Sequence, residues 1–301
     1  MPSNIFTDYQ DGAEANLLRL FSKGTELELE EDIRQILINE PSWAMLYHLS
    51  PQRRMLLDWY DFDPKGSVLE IGAGCGALTG LLTERAKTVY ANELTEDRAE
   101  IIKRRLADRD NLTVVSENIQ EMSSRKKFDY VTAIGVWEYS GRYITTDSDD
   151  PVAPFTEFLR IAHSLLSFNG HLLIAIENKM GLKYLSGAQE DHYSRLFESI
   201  QSYPNYAGIR TFDKTEVVSL LTKAGFNSID FYYPFPDYKL PRIVLTDSAF
   251  EMNMSTSSYA RTIEYALEVS PLFNEILLAD MLRNQHLMSY FANSFFIDAI
   301  F

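Results

Sequence analysis

The stretch VLEIGAGCGALTG, from Val68 to Gly80, decides the fold of this chain. A short apolar run that carries the carboxylate Glu70 leads into three alternating glycines, Gly72, Gly74 and Gly76. The apolar residues that follow recur at helical spacing. The pattern predicts a β-strand, a tight glycine loop and a helix whose first N–H groups can face a ligand.

Outward from this stretch, apolar runs alternate with helical patterns as far as the end of the chain. Five runs come first, SVLEIG, TVYANE, LTVVSE, FDYVTAIG and HLLIAIEN, and two runs rich in aromatic and β-branched residues follow, SIDFYYPF and MSYFANSFFIDAIF. Strands that alternate with helices indicate a parallel sheet covered on both faces. We therefore predict an α/β fold with a doubly wound, mostly parallel, seven-stranded Rossmann-like sheet.

The composition limits the kinds of partner and the cellular location that we expect for this protein. The 301 residues carry 28 Lys and Arg against 43 Asp and Glu, and this net charge of -15 would repel a phosphate backbone, so we expect no nucleic-acid partner. The acidic start and the absence of 18 consecutive apolar residues predict a soluble, cytoplasmic protein without a membrane span. Cys75 is the only cysteine, which excludes an intrachain disulfide and a multi-cysteine metal site.

The glycine loop by itself leaves two classes of cofactor open. Residues Gly72 to Ala77 also fit the G-x-G-x-x-A pattern of dinucleotide loops, so a nicotinamide-dependent oxidoreductase is an alternative. Glu70 argues against that alternative, because a carboxylate beside the loop would repel a pyrophosphate. The same carboxylate suits a ligand that carries an ammonium and a sulfonium group. Charge therefore favours a cationic cofactor.

From about residue 64 to its end, the chain resembles the class I S-adenosylmethionine (SAM)-dependent methyltransferases. In that family an E-x-G-x-G-x-G loop wraps the amino-acid end of the cofactor, and LEIGAGCG, from Leu69 to Gly76, matches it. The match implies SAM as cofactor and implies cofactor contacts for Glu70, Gly72, Ala73, Gly74, Cys75 and Gly76. A protein of this fold that only binds partners or regulates stays a further alternative.

The resemblance also implies roles beyond the glycine loop. Glu93 ends the second strand, where the family places an acid that holds both ribose hydroxyls. Asn118 and Ile119 would lie at the adenine, although the family often has Asp where Asn118 stands, and Asn can also accept a hydrogen bond. Gly135, after the fourth strand, would lie close to the transferring methyl group.

The helical patterns and the resemblance together predict the domain organisation. Residues 1–60 show helical patterns, including the capping-box form of Thr25 to Glu28 and the helix start Ser50-Pro51. We expect a helical N-terminal extension or lid over 1–60. The SAM-binding core would cover 61–301, with acceptor-side insertions around 178–210 and 235–270.

A looser similarity concerns the methyl acceptor. Residues 174–241 look similar to methyltransferase modules encoded with bacterial surface-polysaccharide genes, which implies a small or glycan-linked acceptor and O-methylation. The many aromatics of this region would then stack on a sugar face, unless they belong to the core. Such modules often sit in longer chains, and the apolar ending FFIDAIF fits a piece of a multidomain protein.

A hydroxyl acceptor must lose its proton during attack, so a His or carboxylate is expected nearby. Three places can supply one: Glu138, the run Glu177 to Lys179, and the run Glu190 to His192. We take His192 and Glu138 as the catalytic candidates, with His192 the hypothesised base, although EDHYSRLFESI also fits an ordinary helix start. Because Glu190, Asp191 and His192 are adjacent rather than at i, i+4 spacing, we predict no metal site.

Overall fold

The computed structural model of the chain describes residues 11–39, 42–122, 126–252 and 270–301. Part of the insertion expected around 235–270 lies outside the described residues, because 253–269 are not among them. None of the described helices is long and apolar enough to cross a membrane.

The centre of the fold is one mixed sheet with the strand order β3-β2-β1-β4-β5-β8-β6-β7. The strands are β1 Ser67–Ile71, β2 Thr88–Asn92, β3 Leu112–Val115, β4 Phe128–Ile134, β5 Leu166–Glu177, β6 Ser228–Phe235, β7 Ile243–Thr246 and β8 Ser294–Ile300. Strands β1 to β5 pair in parallel, and β8 lies antiparallel between β5 and β6. The predicted fold class is confirmed.

The sheet has one more strand than the sequence predicted. The additional strand is β7, which pairs antiparallel with the end of β6 at the edge of the sheet. With four residues after Pro241, it is too short to give a clear alternating pattern.

Helices cover both faces of the sheet. They are α1 Glu14–Leu20, α2 Glu30–Asn39, α3 Trp43–Leu49, α4 Thr79–Arg85, α5 Glu96–Arg105, α6 Ser140–Tyr143, α7 Ala153–Leu165, α8 Leu182–Leu185, α9 Lys214–Ala224, α10 Glu275–Asn284 and α11 Met288–Phe291. Successive residues of a strand point to opposite faces. Val68 accordingly packs in the core beneath α4, and Leu69 packs in the core beneath α7 and α9.

The strand order positions the ligand crevice. The chain runs from β1 outward to β2 and β3, and then returns to place β4 on the other side of β1. In parallel sheets such a reversal opens a crevice at the carboxyl ends of the strands. The glycine loop after β1 lies at this point, as the sequence predicted.

The N-terminal helices pack against this crevice. Ser50 caps the short 3-10 helix Pro51–Leu56 by accepting a hydrogen bond from the Gln52 N–H at 3.2 Å. Arg105 of α5 donates to the carbonyl oxygens of His48 and Cys75, at 2.8 and 2.9 Å. One guanidinium therefore joins the helical extension to the glycine loop.

We expect Asp213→Ala to lower the free energy of unfolding by about 1 kcal/mol, the usual cost of losing a helix cap. Asp213 accepts hydrogen bonds from the N–H groups of Thr215 and Glu216, and the Glu216 carboxylate accepts one from the Asp213 N–H. Urea denaturation monitored by circular dichroism measures the change. Asp149→Ala, in an exposed loop, serves as the control and should change stability by less than about 0.5 kcal/mol. Equal stability of both variants would contradict the capping role.

Candidate active site

Two adjoining cavities open at the carboxyl ends of the parallel strands. The larger has a volume of about 160 Å³ and the smaller about 70 Å³. Both are lined by Ile71, Gly72, Glu93, Leu94, Val136 and Tyr143. The shared wall makes them two parts of one elongated crevice that follows the ends of β1, β2 and β4.

Two glycines shape the floor of this crevice. At Gly72, φ is +66°, and an added Cβ would lie 2.4 Å from a methyl group of Val136. At Gly135, φ is +71°, and an added Cβ would lie 2.7 Å from the Tyr238 hydroxyl oxygen. Only glycine combines this backbone conformation with so close an approach. The loops after β1 and β4 can therefore line the crevice with bare backbone.

Glu70 lies in the larger cavity at the end of β1. Its Oε2 accepts a hydrogen bond from the Thr79 hydroxyl at 2.6 Å, and only 5% of the residue is exposed. Burial raises the pKa of Glu70 to about 7, against the lowering effect of Thr79. A cationic ligand group in the cavity would favour the ionised carboxylate.

Glu93 connects the end of β2 with the glycine loop. Its Oε2 accepts from the Gly74 N–H at 2.8 Å, and its Oε1 accepts from the N–H and hydroxyl of Thr95, both at 3.1 Å. Burial raises the pKa of Glu93 above its ordinary value, although these hydrogen bonds oppose the shift. The carboxylate lines both cavities, at the junction between them.

Asn118 and Ile119 line the smaller cavity, as the sequence predicted for one part of the site. The Asn118 side chain is already bonded on both sides: its Oδ1 accepts from the Gln120 N–H and its Nδ2 donates to the Tyr143 carbonyl, each at 2.9 Å. A ligand would therefore meet the second lone pair of Oδ1 or the backbone. Ile119 is 3% exposed and supplies an apolar surface.

The crevice also contains residues that sequence reasoning did not select. Asp11, His48 and Arg98 line the larger cavity near Cys75. Asp11 Oδ2 lies 2.7 Å from His48 Nε2 and 3.1 Å from Arg98. These residues belong to the N-terminal extension and α5, which carry no motif of their own. Cys75 is buried, and burial raises the pKa of its thiol to about 12.

The two catalytic candidates meet in the structure. His192 Nε2 lies 4.0 Å from Glu138 Oε1, and Glu190 holds His192 Nδ1 at 2.8 Å. Glu177, at the end of β5, joins them, so that ligating atoms of Glu138, Glu177 and His192 lie within 4.8 Å of one another. Glu138 Oε2 and Glu177 Oε2 are buried without a hydrogen-bond partner. Buried polar atoms of this kind call for a ligand or a proton.

The surroundings shift both pKa values strongly. Burial and the nearby Glu177 raise the pKa of Glu138 to about 8. Burial alone would lower the pKa of His192, but the hydrogen bond to Glu190 and the charges of Glu177, Glu190 and Glu138 raise it to about 9. Both shifts favour the protonated forms, the imidazolium of His192 and the neutral carboxyl group of Glu138.

One layer of tyrosine rings separates this group from the larger cavity. Tyr139 lines the cavity, and its ring centre lies 5.2 Å from that of His192. Tyr238 lies against Gly135 and donates a hydrogen bond to Glu177 at 3.3 Å. The acidic group therefore borders the cavity without lining it directly.

The stretch around His192 differs from the alternative that the sequence allowed. The helix considered over EDHYSRLFESI does not form: the stretch folds as turns, with an isolated bridge between Gln189 and Leu196. Several of the aromatics considered for sugar stacking are core residues with at most 3% exposure: Tyr184, Tyr203, Tyr233, Phe235 and Tyr238. Tyr206 and Tyr232 are partly exposed.

The group of Glu138, Glu177 and His192 has donor atoms that a metal ion accepts. Residue spacing could not show this group, since the three residues come from three separate segments. Lys239 already donates to Glu177, and His192 faces Glu138 as a cation. Side-chain cations thus occupy the positions that a metal ion would need, and the absence of a metal stays a prediction.

The comparisons with known proteins agree with this geometry. Residues 39–230 match the family model described as a methyltransferase domain. Among curated proteins, Ribosomal RNA small subunit methyltransferase A of Bacillus cytotoxicus is 25% identical over 167 residues, and the match covers 54% of each chain. The chain thus spans about half the length of this relative.

Two solved structures extend the comparison. A SAM-dependent methyltransferase from Archaeoglobus fulgidus is 16% identical with a TM-score of 0.48, over 83% of this chain and 92% of that one. Phosphoethanolamine N-methyltransferase 1 of Haemonchus contortus, solved with phosphoethanolamine and S-adenosylhomocysteine, is 12% identical with a TM-score of 0.49, over 97% of this chain and 50% of that one.

The crevice suits the cofactor of this family, because its bare glycine loop lies between two buried carboxylates, Glu70 and Glu93. The family model covers more than half of the chain and includes the loop and both carboxylates. The protein belongs to the methyltransferase domain family.

Proposed function

We propose that the protein transfers the methyl group of SAM to a hydroxyl group of a small or glycan-linked acceptor. The observation that carries the proposal is Glu138, a buried carboxyl group with an unpartnered oxygen beside the cofactor crevice. Bound SAM supplies an electrophilic methyl group on a sulfonium. The looser similarity of residues 174–241 to polysaccharide-associated methyltransferase modules supports a glycan-linked acceptor.

The acceptor oxygen must lose its proton as it bonds to the methyl carbon, while the carbon–sulfur bond breaks and sulfur keeps the electron pair. We assign the proton to Glu138 in its ionised form, which the positive sulfonium of bound SAM would favour. Because the tyrosine layer separates Glu138 from the cavity, the proton would pass directly after a side-chain movement or through one bridging group. His192 is already an imidazolium at neutral pH, so in this proposal it orients Glu138 rather than accepting the proton.

Local charge favours a neutral acceptor over a cationic amine. Lys183, Lys239 and His192 already neutralise much of the buried negative charge next to the crevice. The sulfonium adds one more positive charge, and a further cation would be repelled. RNA is a weaker candidate despite the name of the curated relative, since a net charge of -15 opposes a phosphate backbone.

The same proposal assigns the cofactor contacts. Glu70 would bind the ammonium group, Glu93 the ribose hydroxyls, and Asn118 with Ile119 the adenine. The loop Gly72-Ala73-Gly74-Cys75-Gly76 would follow the amino-acid end of the cofactor, and Gly135 would lie beside the methyl group. The position of each residue in the crevice supports its assignment.

Glu138→Gln should slow methyl transfer by about 10²–10⁴-fold, the usual contribution of general-base catalysis. Single-turnover transfer of radiolabelled methyl from SAM to a panel of glycans and glycan lipids measures the effect. His192→Ala should slow transfer less. A variant Glu138→Gln with parental turnover would contradict the assignment, and loss confined to His192→Ala would transfer the base role to that residue.

The control for this experiment is Glu198→Gln. Glu198 is another buried glutamate of the acceptor-side insertion, and its carboxylate binds the backbone N–H and side-chain amide of Asn205. It does not line the cofactor crevice. Its variant should keep the parental rate, which separates loss of the base from a general loss of buried charge.

Glu93→Ala should weaken SAM binding by about 1.5–3 kcal/mol, the range for hydrogen bonds to a charged group. The loss includes the ribose contact and the bond that holds Gly74. Isothermal titration calorimetry measures the affinity, and circular dichroism checks the fold. A folded variant with parental affinity would show that Glu93 does not bind the cofactor.

Affinity for S-adenosylhomocysteine should rise with pH and level off above about pH 7, because binding an ammonium requires ionised Glu70. Below that pH, the protonated carboxyl no longer attracts the ammonium. Titrations between pH 5.5 and 7.5 measure the dependence. Glu70→Gln should bind more weakly and lose the part of the pH dependence that belongs to this carboxyl; an unchanged profile would contradict the ammonium contact.

A further inference from the structure

Seven ionisable side chains, most of them buried, form a connected group beside the crevice, called here the acceptor-side cluster; Asp191 lies at its solvent-exposed side. Its members are Glu138, Glu177, Lys183, Glu190, Asp191, His192 and Lys239. Four are carboxylates and three are cations when His192 is protonated. The fully ionised cluster therefore carries one negative charge in excess.

The pairing identifies the side chain that carries the excess. Lys183 lies 2.7 Å from Asp191, and His192 lies 2.8 Å from Glu190. Lys239 binds Glu177 and also lies 2.8 Å from Asp191. Among the described residues, the cation nearest to Glu138 is His192, whose Nε2 lies 4.0 Å from Glu138 Oε1, beyond hydrogen-bond distance. A backbone N–H also binds the Glu138 carboxyl group, but Oε2 has no partner. Glu138 is thus the carboxyl group without a cation of its own.

Among the described residues, charged groups just outside the cluster do not supply the missing cation: Arg210, whose backbone N–H donates to the Glu138 carbonyl oxygen, has its guanidinium 3.6 Å from Glu216. Asp237 accepts a hydrogen bond from the Lys239 N–H, and Arg53 lies over the Tyr47 ring while donating to the Lys239 carbonyl. These two add one charge of each sign. Tyr139 and Tyr238 face the cluster from the crevice side, and burial raises the pKa of Tyr238 well above its ordinary value. The positive charge must therefore come from a proton or from a ligand.

The crevice brings such a ligand group close to Glu138. Gly135, Val136 and Tyr139, neighbours of Glu138 in the chain, all line the larger cavity. A full charge in this cavity would act on Glu138 across buried protein, where charges interact more strongly than in water. SAM carries a positive sulfonium, whereas its product, S-adenosylhomocysteine, carries a neutral thioether. The two ligands are otherwise alike, with the same ammonium, carboxylate, ribose and adenine.

We propose that Glu138 makes the protein distinguish SAM from S-adenosylhomocysteine, because the sulfonium supplies the positive charge that the acceptor-side cluster lacks. SAM then binds with ionised Glu138. When the product is bound instead, the cluster keeps its excess negative charge, and a proton must neutralise it. Tighter binding of SAM than of the product limits product inhibition. This inference rests on SAM as the cofactor and does not depend on the acceptor.

A proton count tests the proposal without any acceptor. Burial and Glu177 raise the pKa of Glu138, which favours its protonated form in the free protein. SAM binding should release this proton, and product binding should not. Any proton released by Glu70 cancels in the comparison, because both ligands carry the same ammonium. The SAM-minus-product difference therefore reports the sulfonium alone.

The experiment is calorimetry with SAM and with S-adenosylhomocysteine at pH 7, each in two buffers of different ionisation enthalpy. We expect SAM to release between about a half and one proton more than the product, the fraction set by a pKa near 8. Between pH 6 and 8, SAM affinity should rise relative to product affinity. Equal proton release for both ligands in the parent protein would overturn the proposal, whatever the variants show.

The variant Glu138→Gln provides a second test of the proposal. The variant should lose the extra proton release and bind SAM about 10- to 100-fold more weakly, with product affinity unchanged, as expected for removing one buried charge from a neighbouring cation. Glu198→Gln should behave like the parent. Equal weakening of both ligands, or a retained difference in proton release, would overturn the proposal. This experiment contains no acceptor. Its failure would therefore not contradict the proposed O-methylation, which the turnover measurement tests separately.

Discussion

Four glutamates meet at one edge of the sheet because the strands that carry them run in parallel. Glu70 ends β1 and Glu177 ends β5, while Glu93 and Glu138 follow β2 and β4 directly or within a few residues. Each is at most 6% exposed. Burying so many carboxylates together is costly unless hydrogen bonds, cations or protons compensate. The chemistry of this edge follows from how each carboxylate is compensated.

The compensation differs along the edge. Glu93 is held by backbone and side-chain donors, and Glu70 by one hydroxyl group, so both remain available to a ligand in the crevice. Glu177 binds a lysine and a tyrosine. Glu138 Oε2 is buried without a partner, and the nearest atom of His192 lies 4.0 Å from Glu138 Oε1, beyond hydrogen-bond distance. Glu93 and Glu70 are thus suited to ligand binding, whereas Glu138 is suited to the proton transfer that we propose.

The N-terminal extension completes the crevice by connecting distant segments. Gln52 donates to the carbonyl oxygens of Leu240 and Pro241, and Arg53 donates to that of Lys239. Residues just before β1 therefore hold the segment after β6, which carries Tyr238 and Lys239 of the acidic region. Movement of this extension would alter both the cofactor crevice and the acceptor-side cluster.

The sequence by itself determined the fold class and the cofactor end of the crevice. Alternating strand and helix patterns, the spacing of Gly72, Gly74 and Gly76, and acids at strand ends are local features, and short-range geometry fixes what they form. Glu70, Glu93 and Gly135 accordingly lie in the crevice where the patterns placed them. The sequence did not predict the short edge strand β7, because four residues are too few to show a clear alternating pattern.

Only the tertiary structure decided the electrostatics of the acceptor side. The side chains of the adjacent residues Glu190, Asp191 and His192 have different partners. Asp191 faces two lysines, while Glu190 binds His192, which faces Glu138. The raised pKa of Glu138 arises from burial and from Glu177 at the end of β5, and the raised pKa of His192 arises from its neighbour Glu190 together with the distant Glu177 and Glu138. No local pattern encodes the contributions of the distant residues. Charge interactions depend on distance in space and on exclusion of water, and both are set only when the strands and insertions have packed together.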